Sequence, residues 1–353
     1  MSDTAIVDKK AETGSAPVVQ LTRKDLQTKN DVRWCPGCGD YAILATMQRF
    51  LPELGVPKEN LVFVSGIGCA ARFPYYMETY GMHTIHGRAP TIATGLKVTR
   101  PELDVWVITG DGDSLSIGGN HTLHALRRNV NIKILLFNNR IYGLTKGQYS
   151  PSSQQGMVTK STPMGSLDHP VNPIQFALGS GATFVARTVD IEAKHMIEVL
   201  KKAHAHQGTA YIEILQNCVV FNDGQWDDVT SRENKARNQL VLEDKQPLLF
   251  DGGKKGIGFE RETLKPFIID LEKEPSRKDE VLVHDETDPS GLMGFLYAHM
   301  DSPGFPTPIG VFRREQREVY DAQIQAQGEQ VKKKKGGASL RDLLYAGDMW
   351  TVE

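Results

Sequence analysis

Short apolar runs alternate with segments of helical periodicity along most of the chain. Five runs have the length and apolar content of buried strands, at residues 61–65, 105–109, 132–137, 183–187 and 210–215. Between them, apolar residues recur at the three- and four-residue spacing of amphipathic helices. This alternation predicts an α/β fold with a parallel, doubly wound sheet over about residues 35–220.

Four of the predicted helices have clear sequence signals. Three of them cover residues 90–98, 173–179 and 191–206, and a first helix takes Asp40 as its N-cap. The polar stretch 140–172 is too long for an idle connection in a compact domain. We interpret it as a functional lid.

Composition divides the chain into three parts. Residues 1–30 are polar and lack the apolar core of a signal peptide, which predicts a disordered or extended segment. Residues 31–225 contain the strand-and-helix pattern and are predicted to be the domain that carries the chemistry. Residues 226–353 are charged, proline-rich and weakly periodic, which predicts an irregular C-terminal extension that wraps a partner.

Charge and hydropathy exclude several classes of function. The formal net charge of −2 gives no electrostatic footprint for nucleic acid. No apolar run is long enough to cross a bilayer, so we expect no membrane association and a cytoplasmic location. The lysine block at residues 332–335 is interpreted as a solvated tail rather than a docking patch for an acidic partner.

Two polar turns each follow a predicted strand. They are Gly-Asp-Gly at residues 110–112 and the pair Asn138-Asn139. Because parallel strands end at the same edge of a sheet, the carboxylate of Asp111 and the asparagine oxygens should converge there. Oxygen ligands suit Mg²⁺, and a helix that starts near Gly118 would attract a diphosphate. The two turns therefore predict a site for a magnesium-bound phosphate group.

Four cysteines form the second candidate site. Cys69 and Cys218 each follow a predicted strand, and Cys35 and Cys38 precede the first helix, so all four can reach one sheet edge. Four thiolates can hold a [4Fe–4S] cluster or a structural Zn²⁺, and spacing does not decide between them. Buried free cysteines and a thioredoxin-type Cys-Pro-Gly-Cys pair are the alternatives.

The Gly-Asp-Gly turn followed by the Asn-Asn turn resembles the thiamine diphosphate fingerprint. By that resemblance, Asp111 and Asn139 bind Mg²⁺ through their side chains, and Ile141 binds it through its carbonyl group.

The motifs taken together look like the β subunit of 2-oxoacid:ferredoxin oxidoreductases. They are WCPGCGDY, GIGCAARFPYY, HTIHGRA, GDGDSLSIGGNHT and NNRIYGLTKGQYSPSS, followed by the late Cys218. The resemblance covers residues 30–225 densely and the remainder loosely. It implies that Cys35, Cys38, Cys69 and Cys218 ligate one [4Fe–4S] cluster beside thiamine diphosphate and Mg²⁺.

The resemblance assigns cofactor binding to eleven residues. They are Gly68, Cys69, His86, Gly110, Asp111, Gly112, Asp113, Asn139, Ile141, Gly143 and Leu144. Two cations are the candidate catalytic residues: Lys146, which can pair with a substrate carboxylate, and Arg72, three residues after Cys69. The alternative for each is a solvated surface charge.

The implied reaction is the oxidative decarboxylation of a 2-oxo acid with coenzyme A, which gives an acyl-CoA, CO₂ and reduced ferredoxin and is reversible in some members. The WCPGCG and LTKGQ segments resemble the 2-oxoglutarate branch. The chain before residue 110 is too short for the pyrimidine-binding half of a thiamine site, which in this family belongs to an α subunit. We therefore expect an α₂β₂ heterotetramer and no activity from this chain alone.

Three alternatives remain open from the sequence. The chain could belong to a pyruvate-specific member of the family, or to a non-oxidative thiamine diphosphate decarboxylase or synthase with incidental cysteines. It could also be a zinc-stabilised α/β binding module whose two polar turns have no chemical role. Iron content and bound thiamine separate these classes.

Overall fold

The structure, a computed structural model, describes four stretches of the chain: residues 20–260, 262–263, 265–301 and 303–352. Most of the predicted N-terminal segment 1–30 lies outside the described residues. Packing begins before residue 31, because the 3₁₀ turn Arg23–Leu26 buries Leu26 completely.

The described residues form eleven strands. They are β1 (Leu61–Ser65), β2 (Tyr80–His83), β3 (Asp104–Gly110), β4 (Lys133–Asn138), β5 (Phe184–Val189), β6 (Ala210–Leu215), β7 (Gln239–Leu242), β8 (Leu249–Phe250), β9 (Lys255–Glu260), β10 (Lys265–Asp270) and β11 (Thr307–Arg314). Eight of them make one sheet in the order β2-β1-β3-β4-β6-β5-β11-β7. All neighbours in it are parallel except β11 and β5, which are antiparallel.

Ten α-helices lie within the described residues. They are α1 (Asp40–Phe50), α2 (Ala89–Thr99), α3 (Gly119–Arg128), α4 (Pro173–Gly179), α5 (Ala193–Ala205), α6 (Asp227–Thr230), α7 (Lys235–Asn238), α8 (Leu292–Ala298), α9 (Tyr320–Lys335) and α10 (Leu340–Leu344). A π-helical turn, Asp113–Ile117, precedes α3. Among the described residues, no helix combines the length and the apolarity that a membrane crossing requires.

Helices cover both faces of the main sheet. In β1, Val62 and Val64 pack into the core that includes α2, α3 and α4, while Leu61 and Phe63 pack into the core that includes α1 and α5. Successive side chains of a strand point to opposite faces, so a strand buried on both sides reads as a continuous apolar run. The predicted doubly wound α/β fold is confirmed.

The predicted elements match the structure closely in the first part of the chain. The five predicted strands correspond to β1, β3, β4, β5 and β6, and the predicted helices 90–98, 173–179 and 191–206 correspond to α2, α4 and α5. The N-cap prediction for Asp40 is wrong. Helix α1 begins at Asp40 itself, Gly39 takes the cap position, and no side chain caps the helix.

The C-terminal extension packs on the same chain and adds regular structure to it. Strands β7 and β11 extend the main sheet, and β8, β9 and β10 make a small antiparallel sheet. Asp321, in the first turn of α9, accepts a hydrogen bond from the Asn131 backbone N–H. Gln325 of the same helix donates to the Val98 carbonyl at the end of α2. The boundary placed at residue 225 stays a prediction.

Candidate active site

The carboxyl ends of four central strands meet at one edge of the sheet and enclose two adjoining cavities. Strand β1 leads into Cys69, β3 into Asp111, β4 into Asn139 and β6 into Cys218. Both cavities are lined by Cys69, Asn139, Gly143 and Leu144. Groups bound in the two cavities would therefore be direct neighbours.

The first cavity has a volume of about 140 Å³ and is lined by all eleven predicted cofactor residues. Gly68 and Gly112 show why glycine is needed here. Gly68 has a φ of +138°, in the region that favours glycine, and a Cβ on it would meet nothing within 4 Å. A Cβ on Gly112 would lie 2.1 Å from the Tyr142 ring, so any side chain there would displace this ring from the cavity wall.

The predicted magnesium ligands lie together on this cavity. Asp111 is buried, and burial raises the pKa of its carboxyl group. The Asn139 side-chain oxygen accepts the Ile141 backbone N–H at 3.2 Å, and its amide nitrogen donates to Gln216 Oε1 at 2.9 Å. The oxygen donors of a hard cation site are therefore close together, and this donor set fits Mg²⁺.

The Asp113 carboxylate forms hydrogen bonds with three segments that border the first cavity. It is buried and accepts the backbone N–H groups of Ile67 and Gly87, at 3.1 and 2.7 Å, and the Thr109 hydroxyl at 2.6 Å. His86 Nδ1 lies 2.5 Å from the same carboxylate. Asp113 thus lines the cavity with both oxygens already bonded inside the protein, and it fixes the orientation of the His86 ring.

The second cavity has a volume of about 210 Å³ and is lined by all four cysteines together with Arg72 and Lys146. All four cysteines are free. Burial raises the pKa of the Cys38 thiol above its usual range and that of Cys69 to about 12, and the Asp40 carboxylate adds to both shifts. These two thiols are therefore protonated in the metal-free chain, and binding a metal group would release their protons.

The arrangement of the thiols bears on which metal group fits. Within the part of the chain that the structure describes, no three His, Cys, Asp or Glu side chains converge closely enough to hold a single metal ion. The four thiols on this cavity fit the donor set of a [4Fe–4S] cluster as well as that of a structural Zn²⁺.

Lys146 lies in a tight loop that brings its side chain to the cysteine cavity. The Tyr142 N–H donates to the Gln148 carbonyl at 2.9 Å and the Gly147 N–H to the Tyr142 carbonyl at 2.9 Å, which closes the loop. Lys146 itself has a φ of +76°, a conformation that is unfavourable for a side-chain-bearing residue. Such strain is typical of functional positions.

Sequence reasoning missed several residues of the site. Ser150 and Ser152 donate to Asp111, and Asn222 donates to the Asn139 carbonyl at 2.9 Å. Asp40 is buried with both carboxylate oxygens unpartnered, and burial raises its pKa to about 7. No local sequence signal identifies the partners of Ser150, Ser152 and Asn222, because each of these contacts joins segments far apart in the chain.

Part of the predicted lid is buried rather than at the surface. Residues 150–153 form a turn whose serines are buried behind Asp111. The following stretch, which includes the exposed Met164 and Leu167, stays at the surface. The loop therefore supports the site from behind as well as extending outward.

Comparison with known proteins gives consistent matches. The family described as thiamine pyrophosphate enzyme, C-terminal TPP binding domain, matches residues 66–214. The 2-oxoglutarate oxidoreductase subunit KorB of Mycobacterium tuberculosis is 50% identical over 339 residues, covering 94% of this chain and 88% of the relative. The 2-oxoglutarate synthase subunit KorB of Archaeoglobus fulgidus is 35% identical over 244 residues, covering 68% of this chain and 88% of the relative.

A solved structure is similar over nearly the whole chain. It is the 2-oxoglutarate:ferredoxin oxidoreductase from Magnetococcus marinus with 2-oxoglutarate, coenzyme A and succinyl-CoA bound. The TM-score is 0.72 at 32% identity, and the match covers 93% of this chain and 96% of that chain.

Proposed function

This chain belongs to the β subunits of the 2-oxoacid:ferredoxin oxidoreductases, and we propose that with an α subunit it converts 2-oxoglutarate and coenzyme A to succinyl-CoA and CO₂. The two electrons released reduce ferredoxin. One observation carries the proposal: the cavity lined by the cofactor residues shares four wall residues with the cavity lined by the four cysteines.

Thiamine diphosphate is the organic cofactor of the family matched by residues 66–214. We propose that Mg²⁺ joins its diphosphate to the Asp111 and Asn139 side chains and the Ile141 carbonyl group. The convergence of these oxygen donors on one cavity supports this assignment. When bound, thiamine diphosphate stabilises the negative charge that decarboxylation leaves behind, while the protein supplies orientation and electrostatics.

The cysteine cavity is proposed to hold a [4Fe–4S] cluster on Cys35, Cys38, Cys69 and Cys218. The convergence of the four thiols on one cavity and the similarity to ferredoxin oxidoreductases support this assignment. Such a cluster accepts electrons one at a time, as transfer to ferredoxin requires. Cys35 is exposed, so we propose that ferredoxin docks on this side.

Lys146 and Arg72 are proposed to bind the substrate. Both lie on the wall of the cysteine cavity, next to the cofactor cavity, where their charges can pair with carboxylates. 2-Oxoglutarate has a second carboxylate that pyruvate lacks, so two cations suit the longer substrate. His86 is held by Asp113 through Nδ1, which leaves Nε2 for a hydrogen bond to the cofactor.

An α subunit is proposed to close the cofactor cavity. Ile67 and Leu144 line this cavity and are still 43% exposed. Ile85, which precedes the cavity residue His86, is 76% exposed, and Ile117 is 51% exposed. We interpret these exposed apolar side chains as part of a protein interface, which a pyrimidine-binding partner would cover to complete the site. The assembly is proposed to be α₂β₂, and the four free cysteines support a cytoplasmic location.

The test is a substrate comparison on the complex purified anaerobically with its α subunit. Coenzyme A-dependent reduction of ferredoxin should proceed with 2-oxoglutarate at a kcat/KM about tenfold or more above that with pyruvate. Equal or better use of pyruvate would contradict the substrate assignment. Decarboxylation that reduces no acceptor would contradict the oxidoreductase function.

A further inference from the structure

A buried serine turn lies directly behind Asp111. Both the Ser150 and the Ser152 hydroxyl groups donate to the same carboxylate oxygen, Asp111 Oδ2, each at 2.5 Å. All three residues are at most 3% exposed. The turn is closed by the Ser153 N–H, which donates to the Ser150 carbonyl at 3.0 Å.

The same turn also holds the strand end that carries the two asparagines. Ser152 shares its hydroxyl proton between Asp111 Oδ2 and Asn138 Oδ1, which lies 2.9 Å away. The Ser153 hydroxyl donates to the Arg140 carbonyl at 2.5 Å. One short turn therefore bonds to the end of β3 and to the end of β4.

The network continues into the sheet through charged side chains. Asn138 Nδ2 donates to Glu213 Oε1 at 2.7 Å, and Arg187 Nε donates to Glu213 Oε2 at 2.7 Å. Glu213 is 1% and Arg187 7% exposed. Since buried polar groups that are fully bonded are rigid, this chain of contacts anchors Ser152 in one position.

The network separates the roles of the two neighbouring asparagines. Asn139 lines both cavities, whereas Asn138 is 1% exposed and its side chain is bonded to Ser152 and Glu213. Of the two asparagines, Asn139 is therefore the one on the wall of these cavities, where its side-chain oxygen can also serve a bound group.

We infer that Ser150 and Ser152 are positioning residues: by holding one oxygen of the Asp111 carboxylate, they fix the orientation in which this group would serve as a ligand for Mg²⁺. This inference rests on the proposed function. Groups that bond to a metal ligand from behind fix its orientation, and removing one such group typically lowers metal affinity by about ten- to a hundredfold. Two donors on one oxygen fix the plane of the carboxylate, because intermediate rotations would lose both hydrogen bonds and a half-turn only exchanges two equivalent oxygens.

The test measures Mg²⁺ binding by titration calorimetry. The sample is the complex of this chain with its α subunit, stripped of metal and saturated with thiamine diphosphate, and each variant is compared with the wild type. Ser152→Ala should raise the Kd for Mg²⁺ by about tenfold or more, and Ser150→Ala should shift it in the same direction. Ser152→Thr keeps the hydroxyl group and should restore binding. A merely structural role would instead lower the melting temperature of the metal-free complex.

Ser166→Ala is the matched control. Ser166 is a buried serine of the same loop, and its hydroxyl group bonds to the Gln154 carbonyl and the Met157 N–H without contacting Asp111. It should leave the Kd unchanged. An unchanged Kd in Ser152→Ala, or an equal loss in Ser166→Ala, would overturn the inference. A wild-type complex that binds no Mg²⁺ would overturn the proposed cofactor site as well.

Discussion

The thiols of Cys69 and Cys218 lie at the same distance from residue 143. A Cβ built on Gly143 would be 3.6 Å from each sulfur atom. Cys69 follows β1 and Cys218 follows β6, and these strands are separated by β3 and β4 in the sheet. The loop after β4 is therefore the place where the two distant cysteines and the cofactor cavity meet.

This relationship predicts that residue 143 must stay small for a cluster to assemble. A separation of 3.6 Å between this Cβ and the sulfur atoms is ordinary van der Waals contact. The Gly143→Ala chain should therefore retain the iron of the cluster. Gly143→Leu would push its side chain into the cysteine cavity and should abolish iron incorporation while the chain stays folded. Iron per chain after anaerobic purification is the measurement. Gly119→Leu, where a Cβ meets nothing within 4 Å, is the control, and full iron content in Gly143→Leu would refute the prediction.

Lys146→Ala should weaken the binding of 2-oxoglutarate more than that of pyruvate. Loss of a charged hydrogen bond to the distal carboxylate costs about 1.5–3 kcal/mol, which corresponds to roughly a ten- to hundredfold higher KM. Steady-state kinetics with both substrates measures the difference. Lys160→Ala, which removes an exposed lysine of the following loop, should change neither KM. Equal effects of Lys146→Ala on both substrates would show that Lys146 does not recognise the distal carboxylate.

His206 should make the stability of the chain depend on acid pH. The residue is 2% exposed, and burial lowers its pKa from 6.5 to about 4, helped by the charge of Lys133. The unfolded chain therefore binds a proton between these values that the folded chain does not. The stabilisation is complete above pH 6.5 and is lost as the pH falls toward 4.

Urea unfolding at pH 7 and pH 5 measures this effect. His206→Gln should reduce the loss of stability between the two pH values, because the titrating group is gone. His169→Gln removes an exposed histidine and should leave the pH dependence as it is. If His206→Gln and the wild type lose the same free energy of unfolding, His206 is not the group responsible.

The purified chain should be inactive without its partner. Residues 66–214 match the C-terminal TPP binding domain of the thiamine enzymes, and Ile67 and Leu144 on the cofactor cavity are 43% exposed. Turnover of 2-oxoglutarate should therefore appear only when the α subunit is added, and thiamine diphosphate affinity should rise with it. Full turnover by the single chain would contradict the proposed division of the site.

The parts of the fold that the sequence predicts are those governed by local periodicity. The strands β1, β3, β4, β5 and β6 are apolar runs buried on both faces, so their pattern is visible in the sequence. Strands β7 and β11 were missed because β7 is four residues long and β11 begins with Thr-Pro and contains Gly310. Their position in the sheet depends on pairing with distant segments.

The same distinction between local pattern and distant contacts applies to the candidate site. Asp111, Asn139 and the four cysteines follow strands or flank a helix, so topology alone predicts that they converge. Asp40 shows the limit of this reasoning. It has the residue type and position of an N-cap, but the backbone at Gly39 is already helical, and this leaves the carboxylate buried without a hydrogen bond. Ser150 and Ser152 fall within the NNRIYGLTKGQYSPSS motif, but nothing in the motif indicates Asp111 as their partner, since these contacts cross about forty residues of chain.

The cluster assignment is tested by an electron paramagnetic resonance spectrum of the αβ complex, purified anaerobically and reduced with dithionite. Iron and zinc are measured on the same sample. A cluster on the four cysteines should give about four irons per β chain and the signal of a reduced [4Fe–4S] cluster, and Cys218→Ala should abolish both. Zinc in place of iron, or no metal at all, would contradict this assignment, because electrons would then have no path from the cofactor cavity to ferredoxin.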